Sequence, residues 1–162
     1  ESGHVNLTIR TEEDWRLSHF VGDSHEFPAL EEVLSGRGLE NTYHWQCAEA
    51  GAITRLRGAE IISAAEDESD AQAVAAVQTF LRHLGMAAGN LALIHLPFGG
   101  IYLVGGVAVG LAELLKGPAF AEGFREKGRF SEFMENFPVT LVRDDQAALV
   151  GCARHLHERR TG

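Results

Sequence analysis

The sequence predicts an α/β domain, and three observations carry that reading. A short apolar run, Leu96 to Leu111, is rich in β-branched and aromatic residues and closes on the paired glycines Gly105 and Gly106, the pattern of a buried strand feeding a helix. Before it lies the longest helical pattern in the chain, Asp70 to His95, and after it short helices lead to a second apolar run, Pro138 to Arg143. Helix, strand, Gly-Gly and helix in that order is the arrangement of an α/β domain. Paired glycines also let a ligand approach the backbone closely, because no Cβ stands in the way, and nucleotides bind at such places. The alternative is a tight strand-to-helix turn and nothing more, since a lone Gly-Gly is no fingerprint.

Taken in order, His4 to Arg10 alternates apolar and polar residues, with Val5, Leu7 and Ile9 on one side, and predicts a half-buried strand. Thr11-Glu-Glu-Asp14 places a capping hydroxyl three residues before a carboxylate, and its acids sit where a helix dipole favours them, so a helix runs to about Val21. Gly22 to Phe27 is a polar connection. Pro28 opens a short helix with Ala29, Leu30, Val33 and Leu34 on its apolar side, ended by Ser35-Gly36. A helix over Gly38 to Ala50, a loop through Arg55 to Gly58 and a helix over Ala59 to Ala65 follow.

The acidic run Glu66 to Asp70 reads as a solvated turn in which Ser69 caps the long helix. There Val74, Val77, Leu81, Leu84, Leu91 and Ile94 keep close to a 3.6-residue period and predict a core helix. Gly85 and Gly89, four apart, share a face where a neighbour can come close. Helix continues over Val107 to Leu115, and Pro118 starts another. Phe120, Phe124, Phe130, Phe133 and Phe137 supply aromatic cover for the sheet. Pro138 to Arg143 is a second buried strand, and Asp144-Asp145 opens a last helix, Gln146 to about Arg159, apolar along Ala147, Ala148, Val150 and Gly151.

A chain of 162 residues has room for one domain with a sizeable core, not two. At 45% hydrophobic and 23% charged its composition is that of a soluble globular protein, and no apolar stretch approaches the ~20 residues of a membrane span. The formal charge of −9, with two lysines and scattered arginines, leaves no basic stripe for a nucleic-acid backbone. Cys47 and Cys152 stand alone, which argues against a disulfide framework or zinc site and for a reducing, cytoplasmic setting. Residue 1 is a charged residue inside a patterned segment, which reads as a cut chain.

Several familiar engines are missing: the Gly-x-x-x-x-Gly-Lys-Ser/Thr phosphate loop, His-Glu-x-x-His, the Gly-x-Ser-x-Gly elbow and any metal-spaced Cys/His set. His155-x-His157 faces two ways on a helix and reads as a pair of surface histidines, so no metal site is assigned. What remains is Glu1-Ser-Gly-His4 and Glu31-Glu-Val-Leu-Ser-Gly-Arg-Gly-Leu39. Taken singly, such acids are solvated surface groups and such a histidine is an ordinary one.

Together with Phe98-Gly-Gly-Ile-Tyr-Leu-Val-Gly-Gly106 and Gly128-Arg-Phe-Ser-Glu-Phe133, these segments resemble the bacterial glucokinase family, ATP-dependent hexose kinases of the actin/hexokinase superfamily without the ROK zinc motif. The resemblance covers nearly the whole chain. It implies that residues 1–162 form one domain, the C-terminal portion of an actin/hexokinase-like (ribonuclease H-like) fold, with a partial mixed sheet flanked by helices. Glu1 and His4 in Glu-x-Gly-His, and Glu31 in Glu-x-Val-Leu-Ser-Gly, resemble the family's sugar-contacting residues, and Gly105-Gly106 falls where the family contacts adenosine. Ser2 departs from the usual Gly.

The resemblance implies glucose and ATP with Mg²⁺ as substrate and cofactors, and phosphorylation of glucose to glucose 6-phosphate at the entry to glycolysis. The family's catalytic Asp and phosphate loops have no counterpart here, so no catalytic residue is assigned and this chain alone is expected to be inactive. Its sheet is left with an apolar edge, to be paired in a homodimer or with a missing N-terminal half. The alternative is a non-catalytic sugar- or nucleotide-binding module of the same fold.

Overall fold

Thr11 Oγ1 accepts from the Asp14 N–H at 3.1 Å while Asp14 Oδ2 accepts from the Thr11 N–H at 2.9 Å, and this reciprocal cap starts helix α1 (Glu12–Gly22) as the spacing predicts. The computed structural model describes residues 2–22, 27–144 and 146–161. Glu1, most of the predicted Gly22 to Phe27 connection and Asp145 therefore lie outside the described residues. The Pro28 segment makes one 3₁₀ turn, Leu30–Glu32. Ser35 does not end it but caps α2 (Gly36–Glu49), its Oγ accepting from the Gly38 N–H at 2.9 Å.

Helix α3 (Gly58–Glu66) starts where the Glu60 carboxylate accepts from the Arg57 N–H, and α4 (Ala71–His95) follows. Asp70, not Ser69, caps α4: its Oδ1 accepts from the N–H groups of Gln72 and Ala73 at 2.8 and 3.1 Å. Ser69 is committed to the preceding turn, where its N–H reaches the Ala64 carbonyl and Asp67 Oδ1.

Strand β1 (Ile101–Leu103) leads into α5 (Gly106–Gly110), then a 3₁₀ turn, α6 (Pro118–Arg125), two further 3₁₀ turns, strand β2 (Val139–Leu141) and α7 (Ala147–Thr161). The strands pair in parallel, Ile101 with Val139 and Leu103 with Leu141, so the intervening helices are the crossover that a parallel pair needs. Among the described residues the sheet is this parallel pair, and the expected mixed sheet is corrected accordingly. The strands are also shorter and less buried than expected. Pro97, Gly99 and Gly100 hold a turn before β1, and Gly105 at φ +115° ends the run, leaving alternation in which Tyr102 faces solvent.

The first predicted strand reduces to one antiparallel bridge, Asn6 to Ala29, after a 3₁₀ turn over Ser2–His4. Leu7 is buried, but Val5 and Ile9 are exposed, because the segment has a partner over Pro28 to Leu30 only.

The core is helical. Leu39, Tyr43 and Cys47 of α2 meet Ile61 and Ala65 of α3 against Ala73, Val77, Phe80 and Leu81 of α4. A smaller cluster joins Leu7, Leu17, Val21, Val33 and Trp45. The tightest contact is α4 on α6, where a Cβ on Gly85 would lie 2.2 Å from the Phe120 carbonyl oxygen and one on Gly123 2.2 Å from that of Arg82. This is the close approach that the Gly85/Gly89 spacing predicts. Small residues rather than large ones fill this seam, so Ala88 and Ala92 are buried while Leu91 and Ile94 are exposed.

Phe120 and Phe124 are buried on α4 rather than on the sheet, whereas Phe133 and Phe137 cluster with Phe98, and Phe130 is partly exposed. Helix α7 is exposed along almost all of its described length, Leu149, Val150 and Leu156 included, as are His155 and His157. Cys47 is a buried free thiol and Cys152 an exposed one. Among the described residues no helix is long and apolar enough to cross a membrane.

Candidate functional site

Two backbone hydrogen bonds, Leu7 N–H to the Pro28 carbonyl at 2.8 Å and Leu30 N–H to the Val5 carbonyl at 2.9 Å, lay the segment after His4 against the segment before Glu31. They bring those side chains together: His4 Nδ1 stands 3.8 Å from Glu31 Oε2, with both residues open to solvent. Gly3 sits against the same carboxylate, at a distance where an added Cβ would be in van der Waals contact, 3.5 Å from Oε2. Glu1, the third residue assigned to this cluster by sequence, lies outside the described residues.

The neighbouring acid does a different job. Glu32 is largely buried, faces Arg37 at 3.5 Å, and its carbonyl accepts from Asn41 Nδ2 at 3.2 Å, so it ties the turn to α2. Gly38 completes that turn: a Cβ there would fall 2.4 Å from the Val33 carbonyl, which only glycine avoids. The Val33-Leu34-Ser35-Gly36-Arg37-Gly38 stretch thus fixes the backbone that presents Glu31.

Glu31, Ser2 and Gly3 form the polar end of a cavity of ≈ 650 Å³ between β1 and the C-terminal half of α4, whose Leu84, Ala88 and Leu91 make its apolar wall. A second cavity of ≈ 390 Å³ is lined by Gly105, Gly106 and Phe80, and the two share Leu34, Ser35, Leu84, Tyr102 and Leu103. Of the residues singled out in sequence, Glu31 and the Gly105–Gly106 pair therefore border two adjoining hollows, while His4 stands beside Glu31 outside their linings. Gly105 is required by its positive φ; Gly106 is not, yet a Cβ on either meets no atom within 4 Å. The lining there includes no lysine or arginine. A third cavity of ≈ 510 Å³, bordered by Glu13, Gln78, Arg82 and Glu122, gathers none of the sequence-assigned residues.

Asp14 is the residue whose full role sequence reasoning missed. Read there as a cap, it is wholly buried and also meets Arg82 Nη2 at 2.6 Å and His83 Nε2 at 3.1 Å. Burial pushes its carboxyl up, but contacts with His83 and Arg82, the Arg10 N–H and the Arg82 charge outweigh that and hold it far below the usual range. The available signal was Arg82-His83 itself, a polar pair amid the apolar period of α4.

The fold of the chain occurs in solved proteins. The crystal structure of glucokinase from an Antarctic psychrotroph matches with a TM-score of 0.87 at 33% identity, over 98% of this chain and 49% of that one. The structure of glucokinase from Balamuthia mandrillaris in complex with glucose matches in fold with a TM-score of 0.73 at 24% identity, over 86% of this chain and 42% of that one. The class is thereby defined: this is a sugar-kinase fold, mostly helical around a small parallel sheet.

The Glucokinase family profile matches residues 1–159, and the chain belongs to that family. The glucokinase of Rhizobium meliloti (strain 1021) is 36% identical over 154 residues, which are 94% of this chain and 45% of the relative. That of Brucella suis biovar 1 (strain 1330) is 36% identical over 152 residues, 93% of this chain and 44% of the relative. The chain spans a little under half the length of these relatives.

Proposed function

We propose that this chain is the C-terminal portion of a glucokinase, and that the whole protein transfers the γ-phosphoryl group of ATP to the 6-hydroxyl of glucose. In this reading residues 1–162 form a single domain of the actin/hexokinase-like (ribonuclease H-like) fold. The observation that carries the proposal is the approach of His4 to Glu31, which stands at the polar end of one cavity, with Gly105 and Gly106 lining the next.

Glucose offers a row of hydroxyls, each of which needs a partner once water is excluded. An ionised carboxylate accepts from two of them, and an imidazole donates to or accepts from a third. Glu31 and His4 therefore orient the sugar, and Glu1 joins them as a second acid. Glucose as ligand has support from the Balamuthia mandrillaris glucokinase, whose structure was solved in complex with it.

The adenosine of ATP fits the apolar hollow at Gly105 and Gly106, where no Cβ projects and Phe80 and Leu103 supply apolar surface. ATP supplies the phosphoryl group, and Mg²⁺ the charge neutralisation that such transfers use. No cluster of three or more metal-ligating side chains occurs among the described residues, so no step is assigned to a metal held by this chain. The general base and phosphate donors belong, on this reading, to the part of the protein that relatives carry beyond the share spanned here. This chain alone is then inactive, completed by that half or by a second copy, and the whole is a cytoplasmic enzyme that begins glycolysis.

The test is glucose-dependent ADP formation by the full-length protein, with glucose 6-phosphate identified as product. Turnover that requires glucose is expected. Glucose binding without turnover would replace this reading with a non-catalytic sugar-binding module.

A further inference from the structure

We propose that Asp14 is a positioning residue for the sugar-binding pair: it locks the segment that carries His4 onto α4 and thereby sets the His4–Glu31 geometry on which hexose affinity depends. The inference rests on reading that pair as the sugar site. A helix cap needs only one carboxylate bond to a backbone N–H, and Asp14 makes far more. Oδ2 accepts from both Arg10 N–H and Thr11 N–H at 2.9 Å, Oδ1 accepts from Arg82 Nη2 at 2.6 Å, and the His83 ring stands beside it with Nε2 3.1 Å away. The backbone at Arg10 and Thr11 is thus pinned to the middle of α4.

From that pin the chain runs back to His4 through further ties. Thr8 Oγ1 accepts from Asn90 Nδ2 at 3.4 Å, the Leu7 side chain is buried, and the Leu7 and Leu30 N–H groups make the bridge that ends one residue before Glu31. Arg10 also reaches Glu126, at the end of α6, at 2.8 Å.

His4 and Glu31 are held by none of this directly. Their side chains are 66% and 45% exposed, so their separation is set by the backbone that carries them rather than by packing around them. Burying a carboxylate is unfavourable unless it is paired, and apolar residues at 82 and 83 would serve the core of α4 as well. A buried ionic cluster in that place specifies register, here the register of one segment on one helix.

The test uses the full-length protein and reads KM and kcat separately. Asp14→Asn is expected to raise the glucose KM about tenfold while the ATP KM stays within about twofold and kcat within about threefold. Arg82→Met leaves Asp14 its two backbone donors and raises the glucose KM less, about threefold. It decides the matter alone if Asp14→Asn does not accumulate as folded protein.

If Asp14 were structural only, both variants would lower the melting temperature and the active fraction, and hence kcat, with both KM values unchanged. That result overturns the inference. A wild type with neither glucose-dependent turnover nor glucose binding overturns the sugar-site reading and the positioning role with it. Turnover with an unchanged glucose KM in the variants overturns the positioning role alone.

Discussion

Where α6 crosses α4 the two backbones touch, so that one added Cβ at Gly85 or Gly123 would stand 2.2 Å from a carbonyl oxygen of the other helix. At the His4–Glu31 corner the side chains stand in solvent 3.8 Å apart, and their geometry comes from hydrogen-bonded backbone behind them. The seam is held by the exclusion of atoms and the corner by anchoring at a distance. A site that must admit a ligand cannot be close-packed beforehand, so the rigidity it needs has to be borrowed from elements nearby. The contrast predicts that substitutions at the seam act on stability and substitutions at the corner on affinity.

The largest loss is expected at the seam. Gly85→Leu forces α6 away from α4 and costs more than about 3 kcal/mol, measured by urea denaturation. Gly85→Ala, which in an exposed helix would gain about 1 kcal/mol, is expected to destabilise here as well. A neutral Gly85→Ala would break the comparison, because the helices would then be free to separate.

Asp14→Asn comes next, at about 2 to 3 kcal/mol near neutral pH, through loss of charged hydrogen bonds in a buried place. It also carries a pH signature. The Asp14 carboxyl titrates far below its ordinary value of 3.8 in the folded chain, so the stabilisation is fully present above that value and is lost as pH falls below it toward the folded one. The melting temperature should therefore drop below about pH 4, and Asp14→Asn should flatten that drop. An acid limb unchanged by the substitution would show that the pairing with Arg82 does not form.

Asp70, away from both regions, also works by anchoring: Oδ1 caps α4 while Oδ2 accepts from the buried Tyr43 hydroxyl at 2.7 Å. Asp70→Ala removes the cap and strands that hydroxyl, at about 2 kcal/mol, whereas Tyr43→Phe costs about 1 kcal/mol. A double-mutant cycle separates the two contributions; equal losses in the single variants would mean that the cap itself contributes nothing. The smallest effect is expected on α7, where Leu149→Ser in this chain should change stability by less than about 0.5 kcal/mol, since Leu149 is 72% exposed.

Much of this was legible in sequence because it depends on local pattern. Thr11 and Asp14 spell a capping box, and Gly85 and Gly89 mark a close helix contact without saying that Gly123 answers them from the other helix. Distance in sequence hid the rest. Asp14 looks complete as a cap, and its partner Arg82 lies 68 residues away. Apolar runs predict buried strands, yet burial is decided by what covers a face, and the pattern around Tyr102 cannot state that. At the candidate site the motifs pointed to Glu31 and His4, but that Glu32 is the structural acid and Glu31 the one at the cavity follows only from where Arg37 and Asn41 stand.

The most direct measurement is the glucose KM of the full-length protein with Glu31→Gln beside the wild type. Loss of a charged acceptor for sugar hydroxyls predicts a rise of about tenfold or more with the ATP KM unchanged. A glucose KM equal to that of the wild type would remove Glu31 from the sugar site and contradict the account.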